Sequence, residues 1–184
     1  MTRPHKSTII TLVEVDKNYK AQISMRTIER PRFKDKKVYE TRKITFEPYR
    51  YSEANMSLVM GLIRRQLTPD LLTPKYREEN NQNPMYGHCY HSTQALYYLM
   101  DTDKLVPMSG KDYRGDYHWW LQDGEKIYDI TAEQYYSVGQ LPPYENGKPS
   151  KWYGWKSRPH QRSLNLIIRV LGEDKVVDTL ETVP

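Results

Sequence analysis

The fold of this chain is decided by the stretch YGHCYHSTQALYYLM, residues 86–100, which contains the only cysteine among 184 residues. Gly87 allows the backbone to turn sharply, and the apolar residues that follow recur at the spacing of one helix face. We therefore expect a helix that begins near Cys89, with a core face of four apolar residues: Ala95, Leu96, Leu99 and Met100. The thiol would then lie in the first turn, where the positive end of the helix dipole favours the thiolate.

Two predicted strands after this helix carry a histidine and a carboxylate. The first is YHWWL at 117–121, the second is KIYDI at 126–130, and the Asp-Gly dipeptide between them is a strong hairpin-turn signal. We expect His118 and Asp129 to face each other across this hairpin, where the Cβ atoms of opposite residues are about 4.5–5.5 Å apart. A register that differed by one residue would place the two side chains on opposite faces.

Cysteine, histidine and aspartate in this order predict a thiol nucleophile, its base and the group that orients the base. Asp129 would accept a hydrogen bond from one ring nitrogen of His118, and the other ring nitrogen would face Cys89. The alternative for Cys89 is a structural role as a small buried apolar residue. The alternative for His118 is a local hydrogen bond at the head of a buried strand.

A metal site is the main chemical alternative, because His88, His91 and His118 accompany Cys89. The chain has no C-x-x-C or H-E-x-x-H pattern, and the adjacent side chains of His88 and Cys89 point in different directions, so we expect no metal. It also has no P-loop and no dinucleotide-binding pattern, so we expect no cofactor.

Acyl chemistry at Cys89 needs hydrogen-bond donors for an oxyanion, and the backbone N–H of Cys89 is the first of them. Three residues just upstream could supply the second donor, and the sequence does not choose among them: Gln82, Asn83 and Tyr86. We also predict substrate contacts from Trp119, as a wall of the cleft, and from Tyr144, in the Pro-, Tyr- and Gly-rich loop at 139–154. For Trp119 the alternative is packing in the core.

The composition is that of a globular protein rich in tyrosine. There are 16 Tyr and 4 Trp but only 2 Phe, and this aromatic content argues against disorder despite a mean hydropathy of −0.86. One domain is the default for this length, and a single cysteine excludes an intramolecular disulfide. Because no apolar run approaches the roughly 18–20 residues of a membrane span and no signal-peptide core follows the N-terminus, we expect a cytoplasmic protein without membrane contact.

A basic segment near the N-terminus is the most uneven feature of a chain whose net charge is +5. Its candidate binding residues are Arg26, Arg30, Arg32, Lys34, Lys36, Lys37, Arg42 and Lys43. Such a cluster can bind nucleic acid or an acidic partner, or it can be a solvated surface. The alternative function is therefore a nucleic-acid- or protein-binding module in which the Cys-His-Asp residues are structural or inactive.

The pattern of predicted elements indicates an α+β fold with the cysteine-bearing helix packed on an antiparallel sheet. Residues 7–30 alternate as a β-hairpin, and 36–46 could add a strand. Ser52 is a suitable N-cap for a helix. The apolar stripe of that helix would be Leu58, Val59, Leu62, Ile63 and Leu67. Thr131 and Gln134 have the spacing of a capping box.

Connections and termini complete the predicted organisation. Residues 78–84 and 101–110 are expected to be connections, and a final helix is expected to have Pro159 in its first turn and Gly172 as its stop. We divide the chain into a basic β-rich extension at 1–50, a Cys-His-Asp domain at 51–172 and an exposed tail at 173–184.

The motifs between residues 84 and 131 resemble a known superfamily. A Gly-x-Cys sequence at a helix start, His118 heading one strand and Asp129 on the next resemble the transglutaminase-like branch of the papain-like superfamily, which includes arylamine N-acetyltransferases and bacterial transglutaminase-like proteases. The resemblance implies a papain/transglutaminase-like core with Cys89 as nucleophile, His118 as base and Asp129 as orienting group. The chain lacks the calcium-site features of animal-type transglutaminases and is short for an arylamine N-acetyltransferase, so amide or peptide hydrolysis, deamidation and acyl transfer all stay open.

A narrower pattern, GHCY at 87–90, HWWL at 118–121 and DxTAEQ at 129–134, is similar to small phage-encoded proteins of unassigned function. This similarity implies a location in the host cytoplasm and names no substrate. The superfamily resemblance implies a protein, or a small amide or thioester, as substrate.

Overall fold

The computed structural model describes residues 11–12, 24–33, 39–152, 159–172 and 177–182, and in 11–44 and 177–182 it describes the backbone only. The fold is α+β, as the sequence predicts. The helices are α1 (Glu53–Arg65), α2 (Pro74–Gln82), α3 (Cys89–Leu99), α4 (Glu133–Tyr136) and α5 (Gln161–Leu171), with short 3₁₀ helices at Pro69–Leu71 and Tyr144–Asn146. The strands are β1 (Thr11–Leu12), β2 (Ser24–Phe33), β3 (Tyr39–Phe46), β4 (Tyr49–Arg50), β5 (Met100–Asp101), β6 (Val106–Lys111), β7 (Tyr117–Asp123), β8 (Lys126–Tyr128), β9 (Lys148–Pro149) and β10 (Val177–Thr182).

The predicted hairpin lies in an antiparallel sheet with the strand order β8-β7-β6-β9. The register of β7 and β8 places Leu121 opposite Tyr128. Our expectation that His118 lies directly opposite Asp129 is therefore wrong by two residues, because the two-residue turn begins at Gly124. Side-chain direction repeats every two residues, so both side chains still lie on the same face.

The helix α1 begins where it was predicted. Its N-cap is Ser52, whose hydroxyl accepts a hydrogen bond from the backbone N–H of Asn55 at 3.1 Å. The buried positions are Met56, Val59 and Ile63. Leu58, which we placed on this face, is 49% exposed, because successive residues of a helix are rotated by about 100° and Leu58 cannot share a face with its buried neighbour.

The helix α5 ends at Gly172, as predicted, where φ is 77°. Its first turn begins later than expected, since Pro159 precedes the N-cap. The N-cap is His160, whose Nδ1 accepts a hydrogen bond from the backbone N–H of Arg162 at 3.2 Å.

One hydrophobic core joins α1, α3, α5 and β7. The predicted core face of α3 is confirmed, since Ala95, Leu96 and Leu99 are buried, and Met100 is buried in β5 directly after the helix. Burial of each large apolar side chain contributes about 1.5–3 kcal/mol, so this face fixes the cysteine-bearing helix in place. Within the described ranges, no helix is both long and apolar enough to cross a membrane.

Two segments that we expected to be connections are regular elements. The helix α2 covers most of 78–84, and it begins at Pro74. Proline suits the first turn because its missing N–H would have no acceptor within the helix. The strand β6 covers 106–110, the second half of 101–110, with Pro107 and Gly110 inside it. These two residues conceal the strand in the sequence, because both are rare inside strands.

The other four-stranded sheet has the order β1-β2-β3-β10. β1 pairs with β2, and β3 matches the predicted third strand, but 7–10 and 13–23 of the predicted N-terminal hairpin lie outside the described residues. β10 pairs with β3, with Val177 opposite Thr45. The segment 173–184, which we expected to be an exposed tail, therefore contains a strand, because the edge of β3 offers unpaired backbone groups. The first and third parts of our division thus share one sheet.

Candidate active site

The turn before α3 places Cys89 at the start of the helix, as the sequence predicts. Gly87 has a φ of 82°, a left-handed conformation that glycine adopts readily. Space requires glycine as well, because a Cβ at this position would lie 3.1 Å from the Cβ of Tyr76 and 3.3 Å from the Cδ2 of Leu72.

The helix α2 secures this turn through Asn80. The Asn80 side chain is buried, and its amide nitrogen donates to the carbonyl oxygens of Pro84 and Tyr86, each at 2.9 Å. These bonds satisfy two carbonyl groups of the segment that leads into the helix. Sequence reasoning missed Asn80, because it lies in the polar stretch that we interpreted as a connection.

His118 and Asp129 are in direct contact. Nε2 of His118 lies 2.6 Å from Oδ2 of Asp129, and the two side chains are 0% and 3% exposed. Asp129 follows the last residue of β8, so its side chain reaches diagonally across the end of the hairpin. Because an ionised carboxylate only accepts hydrogen bonds, Nε2 is the donor, and Nδ1 is left for the other side of the ring.

Asp129 is held by donors on both of its carboxylate oxygens. Oδ2 also accepts from the hydroxyl of Tyr144 at 2.9 Å. Oδ1 accepts from the backbone N–H of Thr131 at 2.9 Å and from the Thr131 hydroxyl at 3.4 Å. Such a network fixes the orientation of the carboxylate and therefore of the imidazole.

The charge of Asp129 keeps His118 protonated to a high pH. Burial alone lowers the pKa of His118, but the charge of Asp129 and the hydrogen bond to it outweigh this effect and raise the pKa to about 10. Cys89 acts in the same direction through a side-chain hydrogen bond and its charge. The site therefore favours the imidazolium form of His118, which lies beside the thiol of Cys89.

Cys89 is the accessible member of this group. Its side chain is partly exposed, and Sγ lies 3.8 Å from the carbonyl oxygen of Tyr117, the residue before His118. In the part of the chain that the structure describes, no backbone carbonyl accepts from the backbone N–H of Cys89. This N–H belongs to the first turn of α3, where helix geometry supplies no acceptor.

Comparison of the chain with protein-family models, curated proteins and solved structures gives no match. The assignment of the site therefore depends on its own geometry.

Two neighbouring residues on α4 contact the other side of the imidazole. Nε2 of Gln134 lies 3.3 Å from Nδ1 of His118, and the Tyr135 ring meets the imidazole edge-on at 4.9 Å. The hydroxyl of Tyr135 donates to Asp112 at 3.2 Å, which joins α4 to the loop between β6 and β7. Sequence reasoning assigned no role to Tyr135 and gave Gln134 only a capping role, although its spacing from Thr131 was a usable signal.

None of the three predicted oxyanion donors forms a contact that marks it as the second donor. Gln82 is exposed at the end of α2, and the amide of Asn83 donates to the carbonyl of Gln134 at 2.8 Å. Tyr86 packs against the Arg114 guanidinium, and burial with the nearby charge of Glu79 raises its pKa to about 12. Among the described residues, no hydrogen bond joins any of the three to Cys89.

The two predicted substrate contacts lie in different surroundings. Trp119 is buried on the opposite face of β7, stacked on Trp152 at 5.5 Å and edge-on to Tyr90 at 5.1 Å, which matches the alternative of core packing. The hydroxyl of Tyr144 donates to Asp129, so Tyr144 contacts the carboxylate that holds His118.

Two further histidines, His88 and His91, lie next to Cys89 in the sequence. His88 is fully buried, neither of its ring nitrogens has a hydrogen-bond partner among the described residues, and burial lowers its pKa to about 4. Nδ1 of His91 lies 3.1 Å from the hydroxyl of Ser163 on α5. Across the described ranges, no three His, Cys, Asp or Glu side chains are placed to hold a metal ion.

The basic segment lies on the N-terminal sheet where it is described. Arg30 on β2 pairs with Arg42 on β3 in the backbone register. Arg26 and Arg32 also belong to β2 and Lys43 belongs to β3, whereas Lys34, Lys36 and Lys37 lie outside the described residues. Binding of nucleic acid or an acidic partner by this segment stays a prediction.

Proposed function

We propose that this protein is a cysteine-dependent hydrolase or acyltransferase that acts through an acyl-enzyme at Cys89. The observation that carries the proposal is the buried His118, held by Asp129 at 2.6 Å, beside a partly exposed Cys89 whose Sγ lies 3.8 Å from the carbonyl oxygen of Tyr117, the residue before His118. A buried imidazole and a buried carboxylate are unfavourable unless they pair. Their pairing next to a partly exposed thiol is the arrangement that a thiolate nucleophile requires.

The chemistry follows from Nδ1, the imidazole nitrogen that does not bond to Asp129. Nδ1 of His118 takes the proton of the thiol, and the thiolate forms a C–S bond to the carbonyl carbon of an amide, ester or thioester while the carbonyl electron pair moves to oxygen. When that pair returns, the bond to the leaving group breaks, and the leaving group takes the proton from Nδ1. Water or an amine then attacks the acyl-enzyme and gives its proton to Nδ1, and this proton returns to Cys89 as the thiolate leaves.

The oxyanion of this reaction has one suitable donor in the backbone N–H of Cys89. This N–H lies at the N-terminus of α3, where the helix dipole also favours negative charge. Gln82, Asn83 and Tyr86 stay candidates for the second donor.

The proposal includes a papain/transglutaminase-like core. It is supported by the position of the nucleophile at the N-terminus of a helix that packs on β7, the strand that carries His118. A hydrogen bond from the Thr93 hydroxyl on α3 to the carbonyl of Trp119, at 3.0 Å, joins the two elements. A protein, or a small amide or thioester, is the proposed substrate, and the cytoplasm is the proposed location.

An acyl-enzyme can be detected with an activated ester. We expect p-nitrophenyl acetate to acetylate Cys89 of the full chain at neutral pH, as shown by intact mass and peptide mapping. Cys89→Ala should lose this modification, and His118→Gln should form it roughly 100-fold more slowly because the base is missing. Acetylation of Cys89 at the same rate in His118→Gln would overturn the proposal.

A further inference from the structure

Gln134 contacts the ring nitrogen that the proposed chemistry uses. Its buried side chain extends from α4, and Nε2 lies 3.3 Å from Nδ1 of His118. The same nitrogen lies 3.0 Å from the carbonyl oxygen of Thr131 and 3.1 Å from the Thr131 hydroxyl. The proposed function gives this residue no role.

The orientation of the Gln134 amide is set by its other partner. The carbonyl oxygen of Thr131 can only accept, so the amide group that faces it must be the NH₂. A reversed amide would bring two acceptor oxygens together in a buried place, which is unfavourable. The NH₂ group therefore also faces His118, and it can bond to Nδ1 only when Nδ1 carries a lone pair.

Asp129 and Gln134 therefore act on the imidazole in opposite directions. Asp129 accepts from Nε2 and stabilises the doubly protonated ring, whereas the N–H of Gln134 stabilises the ring with no proton on Nδ1. A base that holds its proton too strongly cannot return it to a leaving group, since efficient acid–base catalysis needs a group that titrates near the working pH.

We infer that Gln134 is a positioning residue that weakens the hold of Nδ1 of His118 on the proton taken from Cys89, so that this proton can pass to the leaving group. The inference rests on the proposed function, in which His118 is both base and acid. It gives a physical reason for the Thr131–Gln134 spacing, which the sequence offered only as a helix cap.

Three titratable side chains contact His118 from the elements packed against it. Cys89 faces it from α3, Asp129 from the end of β8 and Tyr135 from α4. Burial raises the pKa of Tyr135 and of Tyr144, which bonds to Asp129, so both stay neutral phenols over the range in which His118 titrates. Asp112 lies beyond Tyr135, whose hydroxyl donates to it at 3.2 Å.

The test is the titration of His118 by ¹H–¹⁵N NMR of the full chain, in a Cys89→Ala background. Two variants are compared in that background: Gln134→Met, which keeps the length and removes the N–H, and Gln134→Glu, which places an acceptor beside Nδ1. We expect the midpoint of His118 to rise by about one pH unit in the first and further in the second. The control is Gln122→Met, since Gln122 lies on the same sheet but donates to the carbonyl of Gly124. In this variant the midpoint of His118 should equal that of the parent.

Either variant alone decides the question if the other does not fold. A midpoint at or below that of the Cys89→Ala parent in Gln134→Met or in Gln134→Glu would overturn the inference. If the role of Gln134 were purely structural, both substitutions would lower the stability of the protein, but the midpoint of His118 would not increase from the parent to Gln134→Met and again to Gln134→Glu. Because the titration is done without Cys89, it reports on the hydrogen bond between Gln134 and His118 even if the proposed function fails. The proposed function is tested separately, by acetylation of Cys89 in the protein that keeps Gln134.

Discussion

At the scale of the residue, two glycines separate the effect of backbone conformation from that of packing. Gly87 and Gly115 have φ values of 82° and 83°. A Cβ at Gly115 would meet nothing within 4 Å, whereas one at Gly87 would press on Tyr76 and Leu72. Only Gly87 lies in the turn that precedes Cys89, so the two positions form a matched pair.

We predict that Gly87→Ala destabilises the protein more than Gly115→Ala does. The left-handed conformation alone costs about 1–2 kcal/mol in both variants, and only Gly87→Ala adds a steric contact. Urea unfolding measures the difference, and labelling with iodoacetamide should be slower in Gly87→Ala because the thiol is displaced. Equal unfolding free energies with unchanged labelling would show that packing around Gly87 does not position Cys89.

Residue types explain which parts of the site could be predicted. Cys89, His118 and Asp129 could be found because few residue types carry thiol or acid–base chemistry. The register error of two residues did no harm, because side chains two residues apart on a strand lie on the same face. Asn80 and Gln134 could not be found, because their partners are carbonyl groups and a ring nitrogen that only the folded chain brings near. Amides are common on protein surfaces, so their presence in a sequence indicates nothing specific.

At the scale of the element, α3 and α5 meet through a pair of histidines. The rings of His91 and His160 lie 4.8 Å apart, and His91 also contacts Ser163. Burial lowers the pKa of His91 to about 3, and the charges of His160 and Arg162 act in the same direction. Both helices therefore pack against a neutral imidazole.

This contact should make the protein sensitive to acid. In the unfolded chain His91 takes up a proton below about pH 6.5, while in the folded chain it stays neutral down to about pH 3, so the stabilisation is complete above pH 6.5 and is lost as the pH falls towards 3. We predict a decline of the unfolding free energy from pH 7 to pH 4, and a shallower decline in His91→Gln, which has no titratable group. Urea unfolding at each pH, referred to the value at pH 7, measures both slopes. Identical slopes in the unaltered protein and in His91→Gln would contradict the claim that the buried, neutral His91 makes the protein sensitive to acid.

The helices and strands differ in how clearly the sequence predicts them. α1, α3 and α5 have apolar stripes and caps that the sequence shows, so their existence could be predicted. α2 has no such stripe, and it is held by contacts such as the Arg77 guanidinium on the carbonyl of Pro69. β6 contains Gly110, which allows the carbonyl of Pro143 to approach closely, and a strand of this kind resembles a loop in the sequence.

At the scale of the whole molecule, the site is assembled from segments far apart in the chain. Cys89 comes from α3, His118 from β7, Asp129 from the end of β8 and Tyr144 from the loop before β9. This loop packs closely on β7, because Gly147 has no side chain where the Trp120 ring lies. The α+β class could be predicted from local patterns, whereas the pairing of β10 with β3 could not, because no local signal identifies a partner so distant in the chain.

The most direct test of the account is the rate at which iodoacetamide alkylates Cys89 at neutral pH. An isolated thiol is only a few per cent ionised there, so we predict that His118→Gln and Asp129→Asn each react about tenfold more slowly than the unaltered protein. His160→Gln, the same change at the exposed N-cap of α5, should react at the unaltered rate. Equal rates in all four proteins would contradict the claim that His118, held by Asp129, activates Cys89.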